Sequence, residues 1–150
     1  MTRLSEHFSL AEMTHSQTAD RDGIDNTPGE VEIDNLRDLC INVLEPIREV
    51  FGPIIVTSGY RCLALNKAIG SSINSQHIEG RAADIILPNH RLETVFNWAI
   101  KNTAFDQAIR EFPPRGWIHI SFDPARDRRQ GMLATAENGR TVYKLQGVFS

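Results

Sequence analysis

The stretch from Leu36 to Thr57 constrains this chain more than any other. Leu36, Leu39, Val43, Ile47 and Val50 recur every three or four positions, which places them on one face of a long helix. Gly52 and Pro53 break that helix, and the β-branched run Ile54, Ile55, Val56, Thr57 follows as a buried strand leading to Ser58 and Gly59. Helical and extended periods in direct succession require a fold in which helix and sheet share one core. Thr27, Pro28 and Glu30 supply a cap, a first-turn proline and a capping box at the helix start. Pro46 lies inside the pattern, where it removes a backbone donor and crowds the preceding turn, so a kink is predicted near Asn42.

Ser9 and Glu12 form another capping box, for a short helix ending near His15, and the polar SQTADRDGIDNTP reads as a surface loop. Further on, a short helix runs from Leu63 to Ile69 and closes at Gly70, and a strand runs from Ala82 to Leu87. Leu92, Val95, Phe96 and Ala99 mark a second amphipathic helix. FDQAIREF and WIHISF flank PPRG, the pattern of two antiparallel strands. From Asp123 the chain is polar until TVYKLQGVF, which reads as a last strand. The fold class is therefore α+β, a small antiparallel sheet with flanking helices, in one domain spanning residues 1–150.

Acids and bases are interspersed around a net charge of −3, which leaves no basic stripe for nucleic acid. No apolar run approaches the roughly 20 residues of a membrane-spanning helix, so no membrane insertion is expected. The charged N-terminus lacks the apolar segment of a secretory signal, and synthesis in the cytoplasm is expected. Cys40 and Cys62 read as free thiols, and the chain as a monomer.

His77 and Asp84 stand seven apart, with Gly80, Ala82 and Ala83 keeping the backbone close-packed between them, and His119 comes from a different element. Two neutral imidazoles and a carboxylate are the donor set of catalytic zinc sites, which keep a fourth position open for water. Spacing alone leaves open that the pair is unrelated. The surroundings add to it: SGYR, then SQHIEGRAAD, then WIHIS, in this order, resemble the D-alanyl-D-alanine carboxypeptidase family of zinc peptidases (M15), whose signature is an SxHxxGxAxD block followed by a late strand histidine. FSLAEMTHSQTADRDGIDNTP and the helix after it resemble a small branch of that family common in bacteriophage genomes. The likeness weakens only after about Asp123.

The resemblance implies a zinc ion held by His77, Asp84 and His119, hydrolysis of a peptide bond in bacterial cell-wall peptides, and the small fold shared with hedgehog signalling domains. Better-known members carry a carboxylate three residues before the last histidine; here that position is Gly116. Strand alternation across the PPRG hairpin puts Glu111 beside His119, with Gln107 and Ile109 on the same face and Ile118, Ile120 and Phe122 turned to the core. Glu111 is thus the candidate general base, against the alternative of an exposed strand carboxylate.

Arg61 is placed by the resemblance at the substrate, where a guanidinium binds a carboxylate through paired hydrogen bonds; a structural ion pair is the competing role. Ser75 and Gln76 are candidates to orient substrate or the groups behind the ligands, or to stabilise their loop. His7, His15 and His90 read as surface or capping residues, and Cys62 as a packed thiol. Three functions compete. The first is a peptidase cutting peptidoglycan stem peptides as a phage endolysin or virion-associated lysin, reaching the wall after release or virion delivery. The others are a D-Ala-D-Ala carboxypeptidase and a non-hydrolytic phage structural protein that keeps the fold.

Overall fold

Six strands form one sheet in the order β1-β2-β4-β3-β5-β6 in the computed structural model, which describes residues 2–72 and 74–150. The strands are β1 (Ile55–Ser58), β2 (Ala82–Ile86), β3 (Gln107–Glu111), β4 (Trp117–Ser121), β5 (Gln130–Glu137) and β6 (Arg140–Val148). The helices are α1 (Leu10–Thr14), α2 (Gln17–Asp22), α3 (Glu30–Leu39), α4 (Glu45–Phe51), α5 (Leu63–Ile69) and α6 (Leu92–Asn102). The class is α+β. All strand pairs are antiparallel except β3 with β5, which run parallel from Gln107↔Gln130 to Glu111↔Ala134.

The alternation in the sheet decides where the core sits. Ala83, Ile85, Ala108, Ile118 and Ile120 project to one face and are buried with Leu36, Leu39, Val43 and Ile47 of the long helical segment and Val95, Phe96 and Ala99 of α6. The opposite face keeps the intervening residues, among them Asp84, His119 and Glu111. At about 25 cal/mol per Å² of apolar surface removed from water, the buried face supplies the main driving force for the fold. It also holds the outer face rigid for chemistry.

In place of the kink expected near Asn42, the helix ahead of Pro46 carries a widened turn. Between α3 and α4 the residues Cys40–Leu44 adopt a π-helical turn, and the Glu45 N–H reaches back five residues to the Cys40 carbonyl. Proline has no N–H to donate and its ring needs space against the preceding turn; the widened turn meets both needs without breaking the helix.

Four features depart from the sequence reading. Residues in the supposed loop form α2, capped by the Ser16 hydroxyl accepting from the Ala19 N–H at 3.1 Å and ended by the left-handed Gly23. The cap of α3 is Gly29, while Thr27 bonds Asp25 instead. β1 is an edge strand rather than a buried one, and Ile55 is 47% exposed because only β2 pairs with it. The polar segment after Asp123 contains β5, a full strand that pairs with β6 in a tight hairpin and with the distant β3 in parallel.

Cys40 and Cys62 are unbonded, and burial pushes the Cys40 thiol up to about 12, so it is inert packing. Among the described residues no helix is long and apolar enough to cross a membrane.

Candidate metal centre

Asp84 on β2 lies directly opposite His119 on β4, and opposed residues in an antiparallel pair project from the same face. His119 Nδ1 stands 3.1 Å from Asp84 Oδ1. His77 arrives from the turn that precedes β2. Its carbonyl accepts from the Arg61 N–H at 3.1 Å, its N–H bonds the Ser75 hydroxyl at 3.2 Å, and its ring Nδ1 lies 2.7 Å from the Gly59 carbonyl. Gly59 packs directly on the end of α1 because it has no side chain: a Cβ there would sit 2.2 Å from the Met13 carbonyl.

The Gly59 contact fixes the state of His77. A carbonyl only accepts, so Nδ1 carries the proton and Nε2 turns its lone pair toward Asp84 Oδ1, 3.3 Å away. Burial lowers the His77 pKa and keeps the ring neutral. Asp84 is held as the carboxylate by the Arg61 guanidinium, whose Nη2 lies 3.3 Å from its Oδ2. A neutral nitrogen lone pair thus faces an ionised oxygen in a buried site, an arrangement that a cation between them would satisfy.

The donor geometry fits such a cation. One ligand atom from each of His77, Asp84 and His119 lies within 4.8 Å of the others. Ligands about 2.0–2.1 Å from a tetrahedral zinc stand about 3.3 Å apart, which matches the 3.1 and 3.3 Å separations from Asp84 Oδ1.

Glu111 shares the outer face with this cluster. β3 and β4 pair Ile109 with His119 and Glu111 with Trp117, so Glu111 is the diagonal neighbour of His119, within reach of a long side chain. Burial raises its pKa, with the Asp84 charge adding to the effect and His119 opposing it. Gly116 cannot carry a carboxylate in this backbone, because a Cβ there would fall 1.6 Å from the Glu111 carbonyl oxygen.

A sequence model of the peptidase M15 family matches residues 6–121. The chain belongs to the peptidase M15 family. No curated protein matches it. M15 peptidases are typically zinc-dependent metallopeptidases, and the His77, Asp84, His119 cluster lies inside the matched region. That region stops at the last residue of β4, leaving β5 and β6 outside.

Not all the M15 candidates of the sequence come together. Arg61, His77, Asp84, Glu111 and His119 line one cleft of about 780 Å³. Arg61 donates through Nε to Ser58 at 3.0 Å, through Nη1 to Asn66 at 3.4 Å and through Nη2 to Asp84 Oδ2 at 3.3 Å. Two of its five N–H groups have no hydrogen-bond partner among the described residues. Ser75 and Gln76 sit behind the cleft. Gln76 is buried and donates its amide to Asp106 Oδ2 at 2.9 Å.

Asp106 was not visible as a site residue in the sequence. It is wholly buried and accepts from Gln76, from the Arg128 backbone at 2.7 Å, and from the Arg128 guanidinium at 3.1 and 2.8 Å. The network ties the ligand turn to the start of β3 and to the segment before β5. Met132, Thr141 and Tyr143 also line the cleft and come from strands that no motif marks.

Proposed function

We propose that the chain is a zinc-dependent peptidase that hydrolyses peptide bonds in bacterial peptidoglycan stem peptides. The observation that carries this reading is the neutral His77 lone pair set against the ionised Asp84 beside His119, at the floor of a cleft whose wall presents Glu111. His77, Asp84 and His119 would hold the zinc. Bound there, zinc supplies Lewis acidity toward the scissile carbonyl and makes water a competent nucleophile at neutral pH.

The chain's own groups then have distinct tasks. The Glu111 carboxylate takes a proton from the attacking water as its oxygen adds to the carbonyl carbon, and returns that proton to the amine nitrogen when the C–N bond breaks. Partial burial suits it to both steps, since a raised pKa makes the carboxylate a better acceptor and its acid a competent donor. Arg61 fixes Asp84 through one Nη and directs its remaining donors at a substrate carboxylate. Gly59 and Ser75 hold His77 in orientation.

Likeness of FSLAEMTHSQTADRDGIDNTP to the phage branch supports a lysin, made in a host cytoplasm and reaching the wall after release or virion delivery. The two free donors of Arg61 favour a second reading, a D-Ala-D-Ala carboxypeptidase that clamps the terminal carboxylate. Incubating the protein with purified peptidoglycan, with zinc or with chelator, and identifying new termini by mass spectrometry separates the two. Zinc-dependent amines inside the stem are expected for the lysin. Released D-alanine would move the assignment to the carboxypeptidase. No cleavage by zinc-loaded protein would leave a non-hydrolytic phage protein and overturn the peptidase reading.

A further inference from the structure

The outer face of the sheet continues past Glu111 onto strands that the family match does not include. Register places Trp117, Glu111, Ala134 and Tyr143 in one row across β4, β3, β5 and β6, all projecting to the cleft side. Ala134 is the small member of that row. Ala134 is fully buried, so its larger neighbours close over it. Tyr143 itself is 53% exposed and lines the same cleft as His119 and Glu111. Thr141 and Met132 complete this wall.

Resting on the peptidase reading, we infer that Tyr143 is a substrate-contacting residue, its phenolic hydroxyl donating a hydrogen bond to a peptide carbonyl of the stem peptide, and that the β5–β6 hairpin is the specificity wall of the cleft. Around the ligand cluster the floor presents carboxylate acceptors, and part of its donor capacity is already used. Asp84 and Glu111 accept, three N–H groups of Arg61 are committed, and the Gln107 amide is bonded to Gln130 and Met132. An extended peptide lying across the floor presents carbonyl oxygens that need partners once water is displaced. Tyr143 meets that need from the wall opposite Arg61. Burial and the negative charges of Glu111 and Asp84 push its phenol above the ordinary range, so it is protonated and a donor at neutral pH. Packing alone would not call for a hydroxyl here, since phenylalanine would cover Ala134 equally well.

The test uses the zinc-loaded full chain carrying Glu111→Gln, which removes the base and permits equilibrium binding of an intact stem pentapeptide by calorimetry. Adding Tyr143→Phe is expected to weaken binding about three- to tenfold, the worth of one neutral hydrogen bond, with the melting temperature unchanged. Lys144→Ala, on the other face of the same strand, is expected to bind like its parent. Equal affinity in the Tyr143→Phe protein overturns the proposal, as does an equal loss in Lys144→Ala, which would trace the effect to the hairpin. Cleavage by the unsubstituted chain is assayed alongside. Binding that depends on Tyr143 without cleavage would sink the peptidase reading and keep the contact, whereas absence of binding would sink both.

Discussion

Glu111 and Gly116 explain each other at the scale of single residues. The carboxylate that better-known relatives carry three positions before the last histidine has no room here, because Gly116 backs onto the Glu111 backbone. The hairpin that closes off that position presents Glu111 on the ligand face instead. Glu111→Gln is expected to lower kcat/KM for peptide hydrolysis by about 10²- to 10⁴-fold, with zinc affinity by chelator competition unchanged. A base works only when ionised. With the Glu111 pKa raised by burial, the acid limb of the kcat/KM profile should lie above the ordinary carboxylate range, activity falling as pH drops through it. Gly116→Ala should not help catalysis. Its Cβ collides with backbone, so a loss of about 1–3 kcal/mol in urea unfolding is expected, and wild-type stability would show that the hairpin relaxes freely.

Individual elements matter through what they bring to the ligand turn. The turn carrying His77 has no regular structure of its own and is held by α1 through Gly59, by the start of α5 through Arg61, and by β3 through Gln76 and Asp106. Asp106 is the keystone of the last of these. Burial opposes its charge, but hydrogen bonds from Arg128 and Gln76 outweigh it and lower its pKa. A depressed carboxyl stabilises the fold above its unfolded pKa of about 3.9, and that contribution is lost as pH falls through the lower folded value. Asp106→Asn should cost roughly 3 kcal/mol at neutral pH and flatten the acid limb of the stability curve, both read from urea titrations at several pH values. A variant whose stability matches wild type at pH 7 would show that Asp106 holds nothing in place.

At the scale of the molecule, one ion would join the ligand turn, β2 and β4. Ligand binding to the native state alone stabilises by about 2.7 kcal/mol at a hundredfold excess over Kd. For a chain of this length that is roughly 5–10 °C in Tm. Zinc should therefore raise the thermal midpoint and a chelator reverse it, and the rise should vanish in His119→Ala. A midpoint indifferent to zinc in the wild-type chain would count against the ion.

Much of this was legible because it is local. The bounds of α5 follow from Leu63, Ile69 and Gly70, an irregularity in the long helix from Pro46, and the faces of β3 and β4 from strict alternation through Ile109, Ile118 and Ile120. The ligand trio was readable because His77 and Asp84 sit within one short block of distinctive residues. What escaped was non-local. The parallel pairing of β5 with β3 joins segments distant in sequence, and β1 lies at an edge because only β2 pairs with it among the described residues. The β5–β6 hairpin is local, and its left-handed Asn138–Gly139 turn is a sequence signal for it. Asp106 and Tyr143 carry no motif, and their surroundings come from residues at least 22 positions away in the case of Arg128 and from three different strands in the case of Tyr143's row. The sequence by itself determined the periods, the breaks and the donor set for a metal. Tertiary structure decided which lone pair of His77 faces Asp84 and which carboxylate overlooks the cluster, since proton positions and strand register depend on partners that sequence spacing does not specify.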